Sequence, residues 1–259
     1  MEKAADFHYN AEQNYDEETI IQQREIEKEI AGCQDLVGPK EDFTTLDREF
    51  EHDVAFLKKI QDVKQRYRRF RRIRADGNCF FRAFGFAYFE SLLKNPDEFK
   101  RFQDIALKSK DELITLGFPQ FTLEDFHETF MQELNKIETN KSIEGVLQTF
   151  NDCGTSDYIV VYLRLIVSGF LQKNEDFYQS FLDGGRTMRE FCNQEVEPMG
   201  RESDHIHIIA LSQATGICVQ VDYMDRGDGN LISHVFPEDS SPSIYLLYKP
   251  GHYDILYKE

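Results

Sequence analysis

Asp76-Gly77-Asn78-Cys79, followed by Phe80-Phe81-Arg82-Ala83-Phe84, is a tight polar turn that runs into an apolar helix with a cysteine at its start. A helix N-terminus offers unpaired backbone N–H groups and about half a positive charge. Both favour a thiolate over a thiol, and the same N–H groups can hold the oxyanion of a tetrahedral intermediate. The other half of such chemistry lies in Pro250-Gly251-His252-Tyr253-Asp254. Pro-Gly marks a turn, and residues two apart on the strand that follows share a face. Asp254 can therefore fix the tautomer of His252 and leave the second ring nitrogen for a thiol. Cys79, His252 and Asp254 read as nucleophile, general base and acid, and orienting carboxylate. Triad residues meet in space, so their separation along the chain is no objection. The competing reading is a buried apolar cysteine ahead of an aromatic helix.

Neighbouring residues admit two readings each. Asp76 either satisfies its own turn or helps to organise the oxyanion pocket. Gly77 permits a tight backbone, and Asn78 is expected at the exposed surface of the loop. His205-x-His207 could bind a metal or rival His252, but no third ligand stands at a useful spacing and neither has a carboxylate two residues on along a strand. No metal or organic cofactor is expected. Asp225-Arg226-Gly227-Asp228-Gly229-Asn230 lacks the ligand pattern of a calcium loop and reads as a turn between strands.

The elements that must position these residues follow from periodicity. Phe80, Phe81, Phe84, Phe86, Phe89 and Leu92 make the helix from Cys79 to about Leu93 apolar nearly all round, as a buried central helix requires. Residues 97 to 182 read as successive helices, over 125–136, 142–150, 156–168 and 174–181. The β-branching in 156–168 leaves a strand open there. Another element begins at His205, and 218–223, 244–248 and 253–257 read as strands. Helices first and strands later predict an α+β fold. Upstream, 1–15 is expected to be a disordered tail, 16–35 an arm with a helix over 16–31, and 36–67 a helical lead-in. Within the lead-in, 36–43 is a connector and 46–72 is helical. Residues 68–259 form the main domain.

The chain has 259 residues, 41% of them hydrophobic, and a formal net charge of −17. That negative field opposes nucleic-acid binding and favours basic partners. The basic stretch from Lys58 to Arg74 is the exception. Ile60, Val63, Tyr67 and Phe70 recur within it at three to four residue spacing, so a docked amphipathic helix is the better reading. Five cysteines, with no Cys-x-x-Cys, argue against a disulfide framework and suit a reducing compartment. With no secretory signal or membrane span apparent, the expectation is a cytoplasmic, and also nuclear, monomer that binds neither nucleic acid nor membrane.

Asp-Gly-Asn-Cys-Phe-x-Arg-Ala with a distant Gly-His-Tyr-Asp resembles the OTU family of cysteine deubiquitinases. Residues 121–127, 155–158, 195–199, 202–208 and 223–227 are similar to its otubain branch. The resemblance runs from about residue 12 to the end. It implies a papain-like fold, a central mostly antiparallel sheet flanked by helical subdomains, and hydrolysis of polyubiquitin, with preference for lysine-forty-eight linkages. It carries Asp76 over as a supporting residue of the oxyanion loop. It places Ile209, Tyr223 and Asp225 in segments that face the distal ubiquitin, and Tyr248 and Tyr253, which flank the Pro-Gly turn beside His252, are aromatics suited to gripping ubiquitin and its tail. It also gives the arm, through Ile20, Ile26 and Ile30, to the proximal ubiquitin or to one loaded on a ubiquitin-conjugating enzyme. A second function, inhibition of such enzymes without catalysis, follows from the same surfaces.

Overall fold

A computed structural model describes residues 34–182, 184–227 and 229–258. The arm residues Ile20, Ile26 and Ile30 lie outside them. In chain order the elements are β1 (Val37–Glu41), α1 (Thr44–Glu49), α2 (Val54–Arg66), β2 (Arg69–Ile73), α3 (Cys79–Leu92), α4 (Pro96–Thr115), α5 (Gln120–Asn140), α6 (Ile143–Asn151) and α7 (Cys153–Lys173). There follow α8 (Glu175–Tyr178), α9 (Met188–Phe191), α10 (His205–Thr215), β3 (Val219–Tyr223), β4 (Ile232–Phe236), β5 (Ile244–Lys249) and β6 (His252–Tyr257). A π-turn over Cys192–Val196 continues α9.

The strands form one mixed sheet in the order β1-β2-β6-β5-β3-β4. Among the described residues β3 and β5 pair parallel and every other pair is antiparallel. The sheet is covered on both faces, so β6 buries four consecutive residues, Tyr253 to Leu256. Tyr253 and Ile255 belong to the larger core, built with α3 to α7 and α10. Leu256 belongs to a smaller core, in which Phe43, Leu46, Phe56, Ile60 and Val63 of the lead-in meet Phe70 and Leu247.

Helix α3 is the centre of the larger core. Phe80, Phe81, Phe84, Phe86 and Phe89 are all buried, each worth about 1.5–3 kcal/mol of apolar transfer. Gly85 lets it approach its neighbours, since a Cβ there would stand 3.2 Å from both Leu163 and Phe150. Caps fix where the surrounding helices begin. Asn95 precedes Pro96 and accepts from Glu98 N–H, Ser142 accepts from Gly145 N–H, and Asp152 accepts from Thr155 N–H.

The helical lead-in expected over 36–67 is corrected. Residues 37–41 are a strand rather than a connector, and Asn151 secures its start by bonding both backbone groups of Val37 at 2.9 and 3.0 Å. The helix expected over 46–72 is three elements. It breaks after Glu49, restarts behind Asp53, whose carboxylate caps α2, and gives way to strand β2. Pairing of β2 with both β1 and β6 outweighs the helical spacing of Tyr67 and Phe70. The basic stretch is consumed internally. Lys59 is buried against Asp225, Lys64 pairs with Asp47, and Arg71 donates to Gly38 O and Tyr257 Oη. Residues 153–173 are helical, resolving the strand alternative. By length and apolarity α7 could cross a membrane, yet it lies in the core with Arg164 fully buried at its middle. Strand β4, at the sheet edge and largely open to solvent, has too weak an alternation to be read in advance.

Candidate active site

The turn between β2 and α3 is held from three directions. Asp76 Oδ1 accepts the Asn78 N–H at 2.9 Å, and its Oδ2 accepts from Arg82 Nη2 at 2.8 Å. Arg82 is itself fully buried and donates to Ser156 Oγ at 2.6 Å and Asp157 Oδ1 at 3.2 Å. Gly77 has φ +72°, and a Cβ there would sit 2.1 Å from the Gly200 carbonyl oxygen. Asn78 is not at the surface as expected. It is buried, and its Oδ1 accepts from Gly200 N–H and from Arg164 Nη2, both at 2.9 Å.

Arg164 is the third support. From the core it donates to the carbonyls of Val196 at 3.0 Å, Gly77 at 3.0 Å and Arg201 at 2.8 Å, with its guanidinium 4.5 Å from the ring of Phe81. Burial drives its pKa down to about 10, against the attraction of Asp76, so it stays charged at neutral pH. The peptide joining Gly77 to Asn78 is thus fixed at both ends, its C=O by Arg164 and its N–H by Asp76. Among the described residues no hydrogen bond takes up the N–H groups of Asp76, Gly77 or Cys79. They remain available to an oxyanion.

His252 and Asp254 are brought to Cys79 by the β5–β6 hairpin. Pro250 and Gly251 form its two-residue connection, and Gly251 has φ +74°, as the third position of a type II turn demands. His252 Nε2 lies 2.8 Å from Asp254 Oδ1, which also accepts the Ile73 N–H at 3.0 Å. Asp254 has no exposed surface, and Lys249 Nζ lies 2.9 Å from its Oδ2. Burial alone would raise the Asp254 pKa. The His252 hydrogen bond, the Lys249 charge and the Ile73 amide overcome it and hold the pKa at about 2. Burial likewise opposes charge on His252, but the bond from Asp254 and the neighbouring Cys79 side chain push its pKa up to about 9. His252 Nδ1 is buried, and apart from the Cys79 side chain no group engages it. The imidazole is therefore fixed through one nitrogen and open at the other, beside the sulfur. A thiol at a helix start, a fixed imidazolium and unengaged N–H groups are the parts of nucleophilic acyl transfer.

A family model described as peptidase C65 otubain matches residues 29–258. The chain belongs to the otubain family. It is 51% identical over 246 residues to the human protein named ubiquitin thioesterase OTUB1, covering 94% of this chain and 91% of that protein. It is 40% identical to the human ubiquitin thioesterase OTUB2, covering 86% of this chain and 95% of that protein. Among solved structures, one titled as h/ceOTUB1 with ubiquitin aldehyde and UBC13~Ub aligns with a TM-score of 0.90 at 38% identity, covering 95% of this chain and all of that one. Another, with UBCH5B~Ub in place of UBC13~Ub, aligns at 0.89 with the same identity, covering 94% and 98%. The papain-like α+β fold of the otubains is thus the fold of this chain.

In this otubain the residues expected at a docking surface separate into three groups. Tyr223 and Tyr248 are half-buried neighbours with rings 5.0 Å apart, and Tyr223 stacks on exposed His205 and shares a 3.1 Å hydrogen bond with it. Tyr253 is buried, 5.3 Å from the Phe80 ring, and donates to Ser203 O, so it supports α3. Asp225 is tied to buried Lys59, and Ile209 packs half-buried on the core. His207 accepts the Asp204 N–H at 3.0 Å as a helix cap, and burial pushes its pKa down to about 4. No group of three or more His, Cys, Asp and Glu that could hold a metal occurs among the described residues. Arg164, Gly200 and Lys249 went unread in the sequence. Only Arg164 left a signal there, as a charge at the centre of an apolar helix, where it must find buried acceptors.

Proposed function

We propose that this otubain is a cysteine deubiquitinase that cleaves isopeptide bonds of polyubiquitin through Cys79, His252 and Asp254. The observation that carries the reading is His252. Nε2 is bound to Asp254 at 2.8 Å, and Nδ1 is buried, engaged by no group other than the Cys79 side chain that helps to raise the His252 pKa. The His252 imidazole beside the Cys79 sulfur at the start of α3 is the arrangement of a base and its nucleophile. That sulfur attacks the carbonyl carbon of the distal ubiquitin's terminal glycine, and the N–H groups of the Asp76–Cys79 turn receive the oxyanion. His252 gives its proton to the departing lysine amine as the C–N bond breaks. It then takes a proton from the water that cleaves the thioester. Asp254 holds the ring in one tautomer throughout. Lysine-forty-eight linkages are the proposed substrate.

Incubating the purified protein with a panel of differently linked diubiquitins tests both parts. We expect cleavage of the lysine-forty-eight linkage, abolished in Cys79→Ala. Unchanged turnover in Cys79→Ala would refute the mechanism, and equal cleavage of all linkages would refute the preference.

The structural relatives, titled as complexes with ubiquitin-loaded UBC13 and UBCH5B, support a second role, binding of a ubiquitin-conjugating enzyme. The domain carries exposed aromatic surface fit for a protein partner. Phe121 is 82% exposed on α5, with Phe126 and half-exposed Tyr158 stacked edge-on at 4.8 Å along the same bundle.

A further inference from the structure

Lys249 ends β5 and pairs with His252 in the hairpin register. Its side chain does not reach into solvent. Only 11% of it is exposed, and its ammonium is directed at the triad carboxylate, 2.9 Å from Asp254 Oδ2. The contact is an ion pair. The two carboxylate oxygens are thereby given different tasks. Oδ1 receives His252 Nε2 and the Ile73 N–H, and Oδ2 faces the ammonium.

A carboxylate with no exposed surface needs a compensating cation at all times. His252 cannot be that cation throughout a reaction in which it surrenders its proton and regains it. The Lys249 ammonium stands 2.9 Å from the other carboxylate oxygen and takes no part in the proton transfer. Other charges face it from each element packed around it. Glu49 Oε1 of α1 lies 3.9 Å from its Nζ, and Glu49 in turn accepts from Arg72 Nη1 of β2 at 2.7 Å. Arg72 also pairs with Glu41 of β1 at 3.2 Å. On the inner side stand Asp254 and His252 of β6, with Cys79 of α3 beyond the ring. Charges alternate from the surface to the reacting pair, and Lys249 is the link between them.

We propose that Lys249 is a positioning residue of the active site. Its charge holds Asp254 ionised with Oδ1 turned to His252, and so sets the pH window of the reaction. This rests on the cysteine-peptidase reading above.

The test is the pH–rate profile of diubiquitin cleavage by the full-length protein, with kcat and KM resolved, for the parent, Lys249→Met and Lys249→Arg. Removing a positive charge raises the proton affinity of the groups it faces. In Lys249→Met both limbs of the profile are expected to move to higher pH by about one unit, and kcat to fall roughly tenfold near neutrality with KM unchanged. Lys249→Arg keeps the charge and is expected to restore both. A Lys249→Met profile that stays in place, or a Lys249→Arg enzyme as impaired as Lys249→Met, would overturn the proposal in favour of simple packing. Should Lys249→Met not fold, Glu49→Gln reads the same network from its outer end with the opposite sign. Both limbs should then move to lower pH, and a fixed profile would count against the inference. A parent enzyme that cleaves no diubiquitin defeats the cysteine-peptidase reading; a cleaving parent with unmoved variants defeats only the role of Lys249.

Discussion

Asp254 joins stability to catalysis at a single carboxylate. Its pKa is held at about 2, below the ordinary value, so its contribution to folding is complete above pH 4 and is lost as pH falls through 2. His252, raised to about 9, contributes fully below its ordinary value of 6.5, and that contribution fades as pH rises through 9. The pair therefore stabilises most between about pH 4 and 6.5, and a melting series across pH checks that window. Activity should have a basic limb near 9, where the imidazole no longer carries the proton that the leaving amine needs. Asp254→Asn keeps the shape of the side chain but loses the charge. We expect kcat to fall on the order of a hundredfold or more, the scale of losing an oriented acid–base group. We also expect a loss of about 3 kcal/mol in denaturant unfolding, because Lys249 is left buried without its partner.

At the scale of elements, the site depends on how rigidly the turn before α3 is clamped to the segment around Gly200. Gly77→Ala forces a side chain into the left-handed region and onto a backbone oxygen. The expected result is loss of diubiquitin cleavage with the helical circular dichroism retained, since the clash is confined to the turn. Arg164→Met should be more damaging to the fold. It strands the buried Val196 carbonyl at about 1–3 kcal/mol, removes the donor to the part-buried Gly77 and Arg201 carbonyls, and leaves the Asn78 amide oxygen with Gly200 N–H alone, a loss that denaturant titration would measure. Much of this scale was legible in the sequence. The phenylalanine spacing of α3 and the Pro250-Gly251 turn located the cysteine and the histidine. The strands β1 and β2 were not legible. Arg69 to Ile73 is short and basic, and only its two neighbouring strands make it extended. Asn78 was misread for a related reason. A polar residue in a turn suggests solvent, whereas here its amide is satisfied by Arg164 and Gly200, which are far away in sequence. Local pattern carries the elements; the partners that bury polar groups are set by tertiary contact.

At the scale of the whole molecule, the chain carries a formal net charge of −17, and its described residues join the active site to the lead-in. The lead-in is part of the catalytic fold, since β1 completes the sheet and Glu49 reaches Lys249. Removal of residues 1–31 should spare the folded domain but weaken inhibition of a ubiquitin-conjugating enzyme. In a ubiquitin-transfer assay, Cys79→Ala is expected to suppress transfer and its truncated form to do so far less. Equal suppression by both would remove the arm from that role. The most direct test of the central claim uses ubiquitin carrying an electrophile in place of its terminal glycine, followed by peptide mapping. The account requires the adduct on Cys79 and its loss in His252→Ala. Labelling of exposed Cys153 instead, or undiminished Cys79 labelling without His252, would contradict it.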